Sequence, residues 1–203
     1  MKRSRLIALA VALSVGIGGG ALADISSQSV LFALTPIDST PSTQQLNAVH
    51  DNSPAQALTN LESIARNPGD DGPGVQIRAI RALASYCTAP CATHEAHTTV
   101  IDLMTKGVDD GGYSDAASGA PLLVLRSTIE TIGLMRVAAD YTLLAHYLSN
   151  GSRDIRVAAA FALRDLGNTD AIDDLRARFQ VEANEEVKSA ISDALRVLGQ
   201  PTP

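Results

Sequence analysis

From Ser53 onward, apolar positions recur at helical spacing, with little at the two-residue period of a strand. Ser53-Pro54 offers a capping hydroxyl followed by proline at the first helical position. Leu58, Leu61 and Ile64 then share one face until Pro68-Gly69 ends the run. Val75–Tyr86 carries Ala79, Ala82, Leu83 and Tyr86 on a stripe, and His94–Thr105 carries Val100, Ile101 and Met104. After a glycine-rich loop, Pro121 opens a helix bearing Leu122, Leu125, Ile129 and Ile132, predicted to stop at Gly133. Val137–Leu148 with Asp154–Leu166, then Thr169–Val181 with Asn184–Leu198, complete four predicted pairs, Thr169 being the expected cap of the last. Gly133, Gly167 and Gly199 are each read as a left-handed residue just past a helix.

The stretch from Asp154 to Gly167 returns from Glu186 to Gly199, and such self-similarity marks a stacked-repeat architecture. Ile155, Ala158, Ala159, Ala162, Leu163 and Leu166 make a broad apolar face, matched by Val187, Ala190, Ile191, Ala194, Leu195 and Leu198. Small Ala positions allow close helix approach, and one pair cannot bury such a face alone. The predicted fold is all-α, a short α-solenoid of about four antiparallel helix pairs.

Both stretches carry an acidic, an aliphatic and a basic residue, then Ala-rich spacing to Ala-Leu-x-x-Leu-Gly. In this they resemble HEAT-like repeats of the short bacterial type similar to those of phycobilin lyases. The first repeat keeps Ala82-Leu83 but ends in Tyr86-Cys87, and the second has Thr128-Ile129 before Ile132-Gly133. The resemblance implies a fold, not an activity. It also raises a lyase-like reaction on a bilin, which absence of Trp and a reading of export disfavour.

Residues 1–23 read as a signal peptide: Lys2, Arg3 and Arg5, an uncharged apolar run from Leu6 to Ile17, then Ala21-Leu22-Ala23. No later stretch reaches about 18 apolar residues, so no membrane span is expected after signal removal. Residues 24–52 read as a polar linker and N-terminal cap, with Val30–Leu34 laid over the first repeat and a short helix within Pro41–His50. The repeat domain is assigned to 53–199 and a tail to 200–203. Localisation is expected to be periplasmic or secreted.

The formal net charge is −6, and cleavage would remove three basic residues and no acid. That balance, with 3% aromatic residues, argues against a nucleic-acid partner. No serine elbow, phosphate loop or dinucleotide fingerprint occurs, no cofactor is implied, and the chain is expected not to be an enzyme.

Cys87 and Cys91 are the two cysteines, and export would favour a disulfide between them. A competing reading takes Cys87, Cys91, His94 and His97 as metal ligands, though their spacing is not a standard one. Redox and haem motifs would need different spacings, and His94 and His97 stand three apart where a zinc-protease helix needs four. Asp70-Asp71-Gly72 and Asp109-Asp110-Gly111 are read as solvated turns, a weak cation site being the alternative.

The candidate partner-binding residues are Arg126, Arg156, Arg164, Lys188 and Arg196, aligned by stacking into a strip on the second helices. Two readings stand together: a structural ladder, with Asp154 and Glu186 pairing Arg156 and Lys188, and a docking strip for an acidic or extended segment. Arg164 and Arg196 have no evident acidic mate in the repeat. The expected function is a non-enzymatic protein-binding or scaffold module, or an assembly component with an obligate partner.

Overall fold

The computed structural model describes residues 30–31, 33–34, 41–50, 52–106 and 119–199; Asp109-Asp110-Gly111 and the expected signal and tail lie outside them. Among the described residues every regular element is helical: α1 (Thr43–Ala48), α2 (Pro54–Arg66), α3 (Gly72–Tyr86), α4 (Glu95–Lys106), α5 (Ala120–Met135), α6 (Tyr141–His146), α7 (Arg153–Leu166), α8 (Ala171–Val181) and α9 (Glu185–Val197). Short 3₁₀ turns extend α6 at both ends, over Ala138–Asp140 and Tyr147–Ser149.

From α2 onward the helices pair as α2/α3, α4/α5, α6/α7 and α8/α9. The second helices α3, α5, α7 and α9 pack successively into one row, and α2 with α4 and α6 with α8 lie in the other. One hydrophobic core runs through all four pairs, as a solenoid requires. Leu83, Leu125, Ile129, Ile155, Leu163, Ile191 and Leu195 are completely buried in it.

Sequence rules account for several helix ends. The Ser53 hydroxyl accepts from the Gln56 N–H, with Pro54 as the first helical residue. Asn184 accepts from the backbone of Glu186 and Val187 at the start of α9. The fourth pair's first helix departs from expectation: Asp170 rather than Thr169 precedes it, and neither caps it with a side chain. Gly167 and Gly199 have φ of 75° and 83°, the left-handed region that favours glycine.

Gly133 corrects the sequence reading. It lies inside α5, and Arg136 takes the left-handed position after the helix at φ 54°. A Cβ on Gly133 would stand 2.6 Å from both the Cα and the carbonyl oxygen of Ala162 on α7. Glycine is there because two backbones meet, not because a helix ends. The polar substitutions of the second repeat are also accommodated: buried Thr128 and Thr131 donate to the Val124 and Ser127 carbonyls.

Val30 and Leu34 are completely buried in the same core, and Leu46 of α1 nearly so. Arg78 of α3 donates to the Leu34 carbonyl at 2.6 Å, and the Tyr86 hydroxyl donates to Asn47 Oδ1 at 2.7 Å. These contacts cover the flank of α3 that faces away from α5.

Candidate functional site

The first-helix row is stitched by polar contacts between successive pairs. Arg66 of α2 donates to Thr99 and Asp102 of α4, and Thr99 in turn donates to Glu62. His97 Nε2 lies 2.7 Å from Asp140 Oδ2, both side chains buried, joining α4 to the turn before α6. The Tyr141 hydroxyl donates to Asp174 of α8 at 2.9 Å, a bond that raises the tyrosine pKa above its ordinary value.

On the second-helix row, Arg81 of α3 reaches Glu130 of α5 at 2.9 Å, and Arg126 reaches the same carboxylate at 2.8 Å. Arg164 of α7 bonds Asp165 on its own helix and Asp193 on α9, each at 2.8 Å. Arg196 closes on Asp193 from the other side. Asp193 is therefore held below its ordinary pKa, first by Arg164 and then by Arg196. The hydrogen bonds to Asp165 and Asp193 raise the Arg164 pKa in return.

The mates predicted from the repeat are corrected here. Arg156 pairs with Glu182, not Asp154 or Glu186, through two bonds of 2.8 and 3.1 Å. It also donates to the Asn150 and Gly151 carbonyls. Only 12% of its side chain and 2% of that of Glu182 are exposed, so this pair sits inside the stack. Burial alone would raise the Glu182 pKa; the bonds from Arg156, the Asn184 N–H and Arg178 outweigh it and hold the carboxyl at about 2. Asp154 and Glu186 both turn to Arg153, while Lys188 pairs with Glu185. Arg164 and Arg196, expected to lack an acidic mate, share Asp193.

Between α7 and α9 lies a surface groove of about 530 Å³. Val157, Phe161 and Ala190 supply its apolar lining, and Arg164, Asp193 and Glu186 its charges. The Arg164 guanidinium carbon is 4.7 Å from the centre of the half-buried Phe161 ring, within cation–π range. Sequence reading passed over Phe161 and Asp193. Phe161 falls off the inward face that Ile155, Ala158 and Ala162 define, which was the available sign that an aromatic faces out.

The four residues weighed as metal ligands are otherwise engaged. Cys87 and Cys91 form a disulfide, His94 Nδ1 accepts from the Ala96 N–H, and His97 holds Asp140. Asp70 and Asp71 stand exposed in the turn between α2 and α3. No described helix is long and apolar enough to cross a membrane.

Paired helices stacked in two rows over a continuous core define an all-α helical-repeat protein of solenoid type. Residues 155–180, covering most of α7 and of α8, match the family model described as PBS lyase HEAT-like repeat. The match lies in the C-terminal part of the stack and identifies that segment as similar to a HEAT-like repeat. No curated protein matches it.

Proposed function

We propose that the chain is a non-enzymatic, exported binding module that holds an extended segment of a partner protein along its second-helix row. The groove between α7 and α9 carries this reading. It sets the partly exposed Phe161 beside Arg164, with Arg196 reaching the Asp193 of its wall, on an otherwise acidic chain. A partner segment with one apolar side chain flanked by acids would seat the apolar group on Phe161 and its charges against Arg164 and Arg196. Lys188 and Arg126 lie along the same row, and Arg156 is reserved for the stack through Glu182. Repeat solenoids offer long surfaces suited to such partners.

Export rests on the basic-then-apolar start of the sequence and its small-residue site at Ala21-Leu22-Ala23. Fusing residues 1–52 to a phosphatase that is active only outside the cytoplasm tests it; an inactive fusion overturns export.

Binding is tested by fluorescence anisotropy with extended peptides carrying a central Phe or Leu between Asp and Glu residues. We expect capture that weakens with salt and falls at least tenfold in the Arg164→Glu/Arg196→Glu variant. Equal affinity for peptides with Lys in place of the acids would overturn the reading.

A further inference from the structure

A second concavity lies at the other end of the solenoid, between α1, the start of α2 and the end of α3. It measures about 410 Å³, inside the roughly 300–1,000 Å³ range of small-molecule sites. We infer that this cleft binds a small uncharged molecule with an apolar body and a carbonyl-type acceptor. The inference is independent of the partner-binding reading, because α7 and α9 contribute nothing to the cleft.

The apolar side comes from Leu58, Pro54 and the Tyr86 ring. Two further lining residues have their hydrogen-bonding roles set by neighbours. The Tyr86 hydroxyl donates to Asn47 Oδ1, which leaves Asn47 Nδ2 as a donor. His94 Nδ1 accepts from the Ala96 N–H at 3.2 Å, which leaves Nε2 as the ring's donor. Ser85 and Thr88 add hydroxyls. Asn47 Nδ2 and His94 Nε2 are thus set as donors over an apolar floor, the hydroxyls adapt to either role, and an oxygen acceptor answers both donors.

Charge narrows the choice. None of the lining residues is an acid or a permanent cation. A carboxylate or ammonium ligand would leave its charge unpaired against neutral groups, at a desolvation cost that an amide or ester carbonyl avoids. The wall is also covalently set: the Cys87–Cys91 disulfide closes the segment that carries Thr88 and leads through a 3₁₀ turn into His94. A donor array held this way is organised before a ligand arrives.

The test is amide-resolved NMR titration of the full chain with three probes of similar size: N-phenylacetamide, ethylbenzene and 3-phenylpropanoate. N-phenylacetamide is expected to shift the signals of Asn47, Ser85 and Thr88 and to bind about tenfold tighter than either other probe, the worth of one net hydrogen bond. His94→Asn keeps a side-chain acceptor for the Ala96 N–H, so α4 retains its cap, but withdraws the Nε2 donor. It should weaken N-phenylacetamide about tenfold and leave ethylbenzene unchanged. Ser85→Trp, at an exposed position, should fill the cleft and abolish the shifts while circular dichroism stays native. Equal binding of all three probes, preference for the carboxylate, an unchanged His94→Asn variant, or shifts confined to α7 and α9 would each overturn the inference.

Discussion

Gly133 of α5 and Ala162 of α7 meet backbone to backbone: a Cβ on the glycine would lie 2.6 Å from the Ala162 Cα. This contact sits where the second and third pairs join, the middle of the stack. The pairs on either side are tied by Arg81–Glu130 and Arg164–Asp193 bonds, but here close packing of small residues holds the helices.

Gly133→Ala should therefore destabilise the protein, despite alanine's better helix propensity. Overpacking of this kind costs about 1–3 kcal/mol, against a propensity gain of about 1 kcal/mol. A urea titration is expected to show a lower midpoint. Adding Ala162→Gly should not restore it, because the nearest atoms belong to the Ala162 backbone. A stabilised single variant would refute the contact.

The Glu182 carboxylate sets part of the acid behaviour. Its folded pKa of about 2 lies below its ordinary value of 4.5, so the unfolded chain binds the proton more readily. The stabilisation is then fully present above about pH 4.5 and is lost as pH falls toward 2. Glu182→Gln should flatten the stability profile across that interval. It should also cost roughly 3 kcal/mol at neutral pH, because Arg156 is left buried without its anion. Denaturant titrations at stepped pH test both; an unchanged acid limb would show that Glu182 does not govern it.

Reduction of Cys87–Cys91 removes a crosslink around a short loop, worth about 2 kcal/mol in the chain-entropy view. For a domain of this size the melting temperature should drop by roughly 4–8 °C with reductant present. The Cys87→Ser/Cys91→Ser variant should melt with the reduced protein and ignore reductant. A reductant effect that persists in the double variant would place its origin elsewhere.

The helices and their pairing were legible because apolar spacing and caps are local signals. Ser53-Pro54 announces α2, and the second-helix stripes of α7 and α9 repeat almost residue for residue. What failed was non-local. Gly133 and Gly167 follow the same Ile/Leu position in their repeats, yet only Gly167 ends a helix; Leu134 and Met135 after Gly133 were the hint that α5 continues. Ion-pair partners failed for a related reason. Repeat alignment names equivalent residues, but long side chains reach across to α9 or to the linker before it. Arg156 thus finds Glu182, and Arg164 finds Asp193. The aromatic groove was half visible, since Phe161 breaks the inward face, but its opposite wall is supplied by the next pair.

Asp193 separates the structural and docking roles of the strip. It is shared by Arg164 and Arg196, and all three side chains are partly exposed, so removing it should cost under about 1 kcal/mol of stability. The same change frees Arg196, leaves Arg164 beside Phe161 held by Asp165 alone, and takes a negative charge off the groove. Asp193→Ala should then bind an acidic, Phe-bearing peptide several-fold more tightly, with a steeper dependence on salt. If the arginines serve only to lock α7 to α9, the variant would instead lose stability and gain no affinity. Thermal melts run beside anisotropy titrations at two ionic strengths distinguish the outcomes, and a destabilised protein with unaltered peptide affinity would eliminate the docking role.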